Sequence, residues 1–200
     1  MAGGAGFETL LGMSAPPELP SIVSRAFDVT RKRGYASFCR NETGRLLATL
    51  AATRSGCMAE FGTGCGVGTA WLRSGVRGDT TIITAELDAR LAEAAAEIFE
   101  DDKQVEVLAA DWSTLRDRGP FSLLFLDARE PKDSGADTII DLVEAGGVVV
   151  LDDFTPCASW PPIFAGRVDV LREQWLTDQR FTTVEVMVAS DASVLIATKR

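Results

Sequence analysis

The pattern that most restricts this chain begins at Cys57, where short apolar runs start to alternate with amphipathic helical segments. The apolar runs are 57–61 (CMAEF), 80–86 (TTIITAE), 104–109 (QVEVLA), 121–126 (FSLLFL) and 147–151 (GVVVL). The helical segments fall near 67–76, 88–100, 112–117, 134–144 and 161–177. Alternation of this kind predicts βαβ units and therefore parallel strands. Strands that are apolar almost throughout predict a sheet covered on both faces. The tail departs from the pattern. Segments 181–188 (FTTVEVMV) and 193–198 (SVLIAT) flank Ala189-Ser190-Asp191-Ala192 with no helix between them, which predicts an antiparallel hairpin. The expectation is a doubly wound, Rossmann-like α/β fold with a seven-stranded, mostly parallel sheet that ends in this hairpin.

Upstream, residues 1–20 are rich in Gly, Ala and Pro and read as a loose arm. Helices are expected near 20–33 and 41–54, the second with Asn41 as its cap and Leu46, Leu47 and Leu50 on one face. Residues 1–54 are thus expected to pack as an arm and helices on a core formed by 55–200, in one structural domain. A length of 200 residues with 46% hydrophobic content suits one buried core.

The decisive compositional fact is that the chain has no histidine. This excludes a Ser-His-Asp triad, a Cys-His pair and a histidine-ligated metal. A general base must then be Asp, Glu, Lys, Tyr, Cys or water. A net charge of −9 with scattered basic residues argues against a nucleic-acid partner. Cys39, Cys57, Cys65 and Cys157 form no CxxC pair, which suggests free thiols in a reducing cytosol. No signal peptide and no run of 18 apolar residues is present, so a cytoplasmic protein without membrane contact is expected.

The strongest local signal is Glu60-Phe61-Gly62-Thr63-Gly64-Cys65-Gly66-Val67-Gly68, between the first strand and a helix. Glycines there allow a tight turn and close backbone approach to a ligand, and the helix start offers free N–H groups. The G-x-G-x-x-G pattern of nicotinamide enzymes fails in both registers, because Val67 or Thr69 stands where the third glycine is needed. The acid before the glycines instead suits the E-x-G-x-G-x-G loop of enzymes that use S-adenosylmethionine (SAM). Glu60, Gly62, Thr63, Gly64 and Gly66 are therefore candidate SAM-binding residues. Glu86 ends the second strand, where its carboxylate can accept both ribose hydroxyls, with Leu87 beside it; Asp88 competes as a helix cap. Asp111 and Trp112 follow the third strand, where the acid can accept from an adenine amino group and the indole can pack on the ring or belong to the core.

Residues 41–200 resemble the small class I O-methyltransferases of the catechol and caffeoyl-coenzyme A type and related bacterial metal-dependent antibiotic methyltransferases. The segments that carry the resemblance are NETGRLLATLA (41–51), AEFGTGCGVGTAWL (59–72), ITAELDARLAEAA (83–95), FSLLFLDARE (121–130) and AGGVVVLDDF (145–154). The pairing of LFLDARE with VVVLDDF is the specific part. Asp127 ends strand four, and Asp152 and Asp153 end strand five, so three carboxylates are expected to converge and to need a compensating charge. The resemblance implies that these three hold a divalent metal, with Mg²⁺ the default. The alternative is that Asp152 and Asp153 cap a turn and Asp127 contacts the cofactor. Two positions depart from the family pattern: Asp153 is often Asn there, and Glu130 stands where catechol-type enzymes place a lysine base, with Lys132 two residues on. Glu130 or Lys132 can act as base, or a metal can suffice. Phe154 and Trp160, in the loop 154–163, are candidate walls for a planar acceptor, and Tyr35 to Arg40 can close the other side.

The resulting expectation is methyl transfer from SAM to a hydroxyl of a small molecule, with a homodimer expected in view of the family's habit and of apolar faces on the N-terminal helices. Alternatives are a metal-independent methyltransferase acting on nitrogen or a tRNA hydroxyl, a nicotinamide oxidoreductase and a non-catalytic SAM-binding protein.

Overall fold

The computed structural model describes residues 18–200. The expected loose arm therefore lies, apart from its last residues, outside the described residues. Helix α1 (Ser21–Arg33) leads into α2 (Asn41–Ala51). Asn41 does not cap α2: Arg40 occupies the cap position and Asn41 is the first helical residue. Strand β1 (Cys57–Phe61), α3 (Val67–Gly75), β2 (Thr81–Glu86), α4 (Ala89–Phe99) and β3 (Val105–Ala109) then alternate as the apolar periodicity predicts. Asp88 caps α4 by accepting from the Arg90 N–H at 2.9 Å.

A 3₁₀ helix (Trp112–Arg118) replaces the helix expected at 112–117, and β4 (Phe121–Leu126) follows it. A short α5 (Arg129–Asp133) follows β4, and of the helix expected at 134–144 only α6 (Ala136–Ile139) and a 3₁₀ turn (Ile140–Leu142) are present. Gly135, at φ 78°, interrupts the helical path. Strand β5 (Val143–Phe154) is longer at both ends than the apolar run 147–151. The helix expected at 161–177 is present only as α7 (Val170–Thr177). Before it, Pro161 and Pro162 remove two backbone donors, and the chain forms a small hairpin, β6 (Ile163–Phe164) and β7 (Arg167–Val168), turning at Gly166. The tail is the expected hairpin, β8 (Phe181–Ala189) and β9 (Ala192–Lys199).

The seven-stranded sheet has the order β3-β2-β1-β4-β5-β9-β8. The first five pair in parallel and β9 joins β5 antiparallel. Both faces are covered. Leu123, Phe125, Val148 and Val150 pack toward one cluster with Leu47, Trp71 and Ile98. Their alternates Leu124, Leu126, Val149 and Leu151 pack toward another with Trp112, Trp175 and Phe181. This is the period of two written into FSLLFL and GVVVL. The apolar faces of α1 and α2 join the first cluster, through Val23, Ala26, Leu47 and Ala51. They are used inside the chain and supply no argument for a dimer. At the α2–α3 contact Gly44 lies flat against the Trp71 ring, where a Cβ would not fit. No helix among the described residues is long and apolar enough to cross a membrane.

Candidate functional site

The carboxyl ends of β1, β2, β4 and β5 converge on one rim, because parallel strands point the same way. The glycine loop leaves β1 with Gly62, Gly64 and Gly66 all at positive φ, at 100°, 53° and 85°. Gly62 has a second constraint. A Cβ there would come within 2.8 Å of Ala128 in the loop after β4. That loop is pinned to the glycine loop, since the N–H groups of Asp127 and Ala128 both donate to the Phe61 carbonyl, at 3.0 and 2.9 Å.

The loop is tied to β2 through Glu86. One carboxylate oxygen accepts from the Gly64 N–H at 2.8 Å and the other from the Asp88 N–H at 3.0 Å. Thr63 and Thr84 pair their hydroxyls at 2.5 Å beneath the loop. Glu60 is fully buried there, and its carboxylate accepts from the hydroxyls of Thr69 and Thr84. Burial, the chief cause, pushes its carboxyl up to about 8. Glu60 thus sits under the loop, not on its open surface. A cleft of 190 Å³ lies above, walled by Gly62, Thr63, Gly64, Glu86, Asp127 and the Tyr35–Cys39 segment. The Tyr35 ring lies against Gly64, so the segment after α1 walls the glycine-loop cleft, and it does not line the cavity with Phe154. Burial and the nearby Glu86 carboxylate raise the Tyr35 hydroxyl above its usual range.

The architecture around this cleft can be set beside solved structures. No protein-family model matches the chain. A search of curated protein sequences finds no match. Solved structures do match. The O-methyltransferase from Bacillus cereus, crystallised with SAH, superposes with a TM-score of 0.73 at 19% identity, over 92% of this chain and 93% of that one. TomG from Streptomyces achromogenes, an O-methyltransferase involved in tomaymycin synthesis and crystallised with SAM, gives 0.73 at 21% identity, over 92% of each chain. The SAH-bound Podospora anserina methyltransferase PaMTH1 gives 0.73 at 21%, over 91% and 89%. The chain has the class I methyltransferase fold. The mostly parallel seven-stranded sheet with a terminal antiparallel pair, expected from the sequence, is present in this fold.

In this methyltransferase fold Asp127 follows β4, and Asp152 and Asp153 lie at the end of β5. One carboxylate oxygen from each lies within 4.8 Å of the others. Asp152 is buried; it accepts from the Thr43 hydroxyl at 3.3 Å and from the Asp153 N–H at 2.8 Å. Asp153 is exposed and held at φ 68°. Burial first, then the charges of Asp152 and Asp153, raise the Asp127 carboxyl to about 7. Burial raises Asp152 as well. Oxygen donors of this kind are what a hard divalent cation takes, so the donor set fits Mg²⁺. The structure also supplies a cation of its own. The buried Lys132 ammonium donates to the Asp153 carboxylate and to the Asp152 carbonyl, both at 3.1 Å. The sequence expectation of three acids lacking a compensating charge is therefore met in part from within the chain.

The other residues named from sequence are placed as follows. Glu130 is exposed in the first turn of α5 and walls neither cavity of the site. Leu87 is 73% exposed beyond Glu86. Asp111 spends one carboxylate oxygen on the Ser113 N–H at 2.8 Å. Trp112 is a core residue against Phe61, with the Arg116 guanidinium over its ring at 5.0 Å. Trp160 is exposed, whereas Phe154 is buried. Phe154 walls a second cavity of 370 Å³ with Phe164, Leu171, Arg172, Lys132 and Asp153. The acids stand between this cavity and the cleft. Sequence reasoning missed Thr43, Phe164 and Arg172. Thr43 lies in a helix far along the chain from Asp152, and Phe164 sits in a stretch whose proline-driven hairpin was read as helix.

Proposed function

We propose that the chain is an O-methyltransferase that transfers a methyl group from SAM to a hydroxyl of a small molecule, with a divalent cation held by Asp127, Asp152 and Asp153. The observation that carries this reading is the position of the three carboxylates between two cavities. One is walled by the glycine loop and Glu86; the other has Phe154, Phe164 and Leu171 among charged walls. The SAM- and SAH-bound O-methyltransferases of the same fold support the cofactor and the reaction class.

SAM brings the sulfonium-activated methyl group, and a divalent cation would lower the pKa of an acceptor hydroxyl. The chain's own part is alignment and proton handling. Glu86 fixes the glycine loop through Gly64 and offers its remaining lone pairs to ribose hydroxyls. The Tyr35 ring and the Tyr35–Cys39 segment exclude water from that side. Thr43 and the Asp153 N–H hold the Asp152 carboxylate in one orientation, so the acceptor oxygen meets a fixed set of ligands. Lys132 fixes Asp153 from behind.

A metal-independent methyltransferase is a second reading, favoured by the Lys132–Asp153 ion pair at 3.1 Å, which already places a positive charge among the acids. In that case Asp127, raised to about 7, is the residue suited to take the acceptor proton near neutral pH. A homodimer is proposed on the resemblance alone; light scattering at micromolar concentration should give twice the monomer mass.

The test is methyl transfer to a panel of phenols and catechols from labelled SAM, with Mg²⁺ and with EDTA. Activity should require the cation, and Asp152→Asn should lose at least about a hundredfold in turnover while SAH affinity changes little. Full activity in EDTA would reject the metal and leave Asp127 as the base. Failure to bind SAM or SAH at all would reject the whole reading.

A further inference from the structure

We infer that Lys132 and Asp153 act as one neutral pair in the proposed cation site: the ammonium cancels the charge of the third acid, so the site matches a divalent ion and binds it less tightly than three free carboxylates would. The inference rests on the proposed cation at Asp127, Asp152 and Asp153, and deepens it by naming the residue that sets the charge of that site.

Lys132 stands on α5, in the segment that carries the chain away from β4 and Asp127. Its side chain is 9% exposed, whereas that of its partner Asp153 is 70% exposed. Lysines are seldom buried, because the ammonium gives up strong hydration. An exposed carboxylate is solvated by water and gains little from a partner. The pair therefore does not serve Asp153 alone; burial of Lys132 puts a positive charge inside the acid cluster. The ammonium donates to the Asp153 carboxylate and to the Asp152 carbonyl, both at 3.1 Å, so it holds Asp153 by its side chain and by the peptide before it. That peptide leads into a backbone at φ 68°, which a residue with a side chain rarely takes. The charge also reaches the other two acids: burial raises Asp127 and Asp152, and Lys132 opposes the rise.

A bound cation requires its carboxylate ligands to be ionised. Three carboxylates and one ammonium then carry a net charge of −2, which a divalent ion neutralises. Without the ammonium the same acids carry −3, and they would hold a divalent ion more tightly and gain still more for a trivalent one. The sign of this effect separates it from a bracing role. A lysine that only braced the loop would leave the acids worse placed when removed, and cation affinity would fall. A lysine that sets the charge gives the opposite result.

The test is calorimetry on the full chain loaded with SAH, at one neutral pH, with Mn²⁺ and La³⁺ as probes. Lys132→Met removes the charge; Lys132→Gln removes it and keeps a donor for the Asp152 carbonyl. Both should bind Mn²⁺ at least about tenfold more tightly than wild type, and La³⁺ should gain by a larger factor. Asp153→Asn leaves Lys132 unmatched and should weaken Mn²⁺ binding at least about tenfold. Lys132→Met combined with Asp153→Asn restores the net charge of the wild-type site and should return Mn²⁺ affinity to within about threefold of wild type. Retained SAH binding reports an intact fold; should Lys132→Met lose it, Lys132→Gln decides. Unchanged or weaker Mn²⁺ binding in the lysine variants, an equal gain for the two ions, a double variant that stays about tenfold or more from wild type, or loss of SAH binding by both lysine variants would overturn the inference. If wild type binds no cation and Lys132→Met does, the cation of the proposed function fails while the role of Lys132 stands. If wild type and the lysine variants bind alike, the cation stands and the role of Lys132 fails. No cation binding by any form overturns both.

Discussion

Glu60 gives the sharpest check on the electrostatics of the glycine loop. Its carboxylate is fully buried, accepts from Thr69 and Thr84, and leaves its other oxygen without a partner. Burial raises its pKa from the ordinary 4.5 to about 8. Between those values the folded chain keeps a proton that the unfolded chain has released. Stability must then fall as pH rises, by about 1.4 kcal/mol per pH unit for this one group. Below 4.5 both states are protonated and nothing is lost; above about 8 the full cost is reached. That cost is on the order of 5 kcal/mol. Asp127, raised from 3.8 to about 7, adds a second loss of the same sign over a lower window. Glu60→Gln keeps the shape and removes the charge. Its amide nitrogen would face the position of the unpartnered oxygen, at a pH-independent cost of about 1–3 kcal/mol. The variant should be less stable than wild type in mild acid, and the two curves should cross as pH rises. The slope between about pH 5 and pH 7 should drop by about 1.4 kcal/mol per pH unit and keep the share of Asp127. Urea unfolding in EDTA, without SAM, at a series of pH values measures this. A variant whose stability runs parallel to wild type at every pH would refute the buried, protonated Glu60.

Two further outcomes follow from the packing and the loop. Arg172→Met strands Asp169 and Glu185 without their common partner and should cost about 3–5 kcal/mol, read as a lowered urea midpoint. Glu86→Ala removes the acceptor for the Gly64 and Asp88 N–H groups and should weaken SAH binding about tenfold or more by calorimetry, while leaving divalent cation affinity nearly unchanged.

Much of this molecule is written in local pattern. The period of two in FSLLFL and GVVVL fixed strands whose alternate residues do enter opposite clusters, and the helix-free spacing of the last two strands fixed their antiparallel pairing. The glycine loop was legible because positive φ at three positions leaves few residue choices. Two helices were misjudged for local reasons: Gly135 and the Pro161-Pro162 pair interrupt sequences whose apolar spacing still looks helical. The candidate site was legible only as a set of strand ends. Which acid is buried, which is paired and which cavity it faces depend on groups distant in sequence. Thr43 reaches Asp152 across 109 positions, Lys132 reaches Asp153 across 21, and Arg172 reaches Glu185 across 13. Residue type and spacing determine what a segment can form by itself. Desolvation and ion pairing depend on which neighbours the folded chain brings within a few ångströms, and only the tertiary structure decides that.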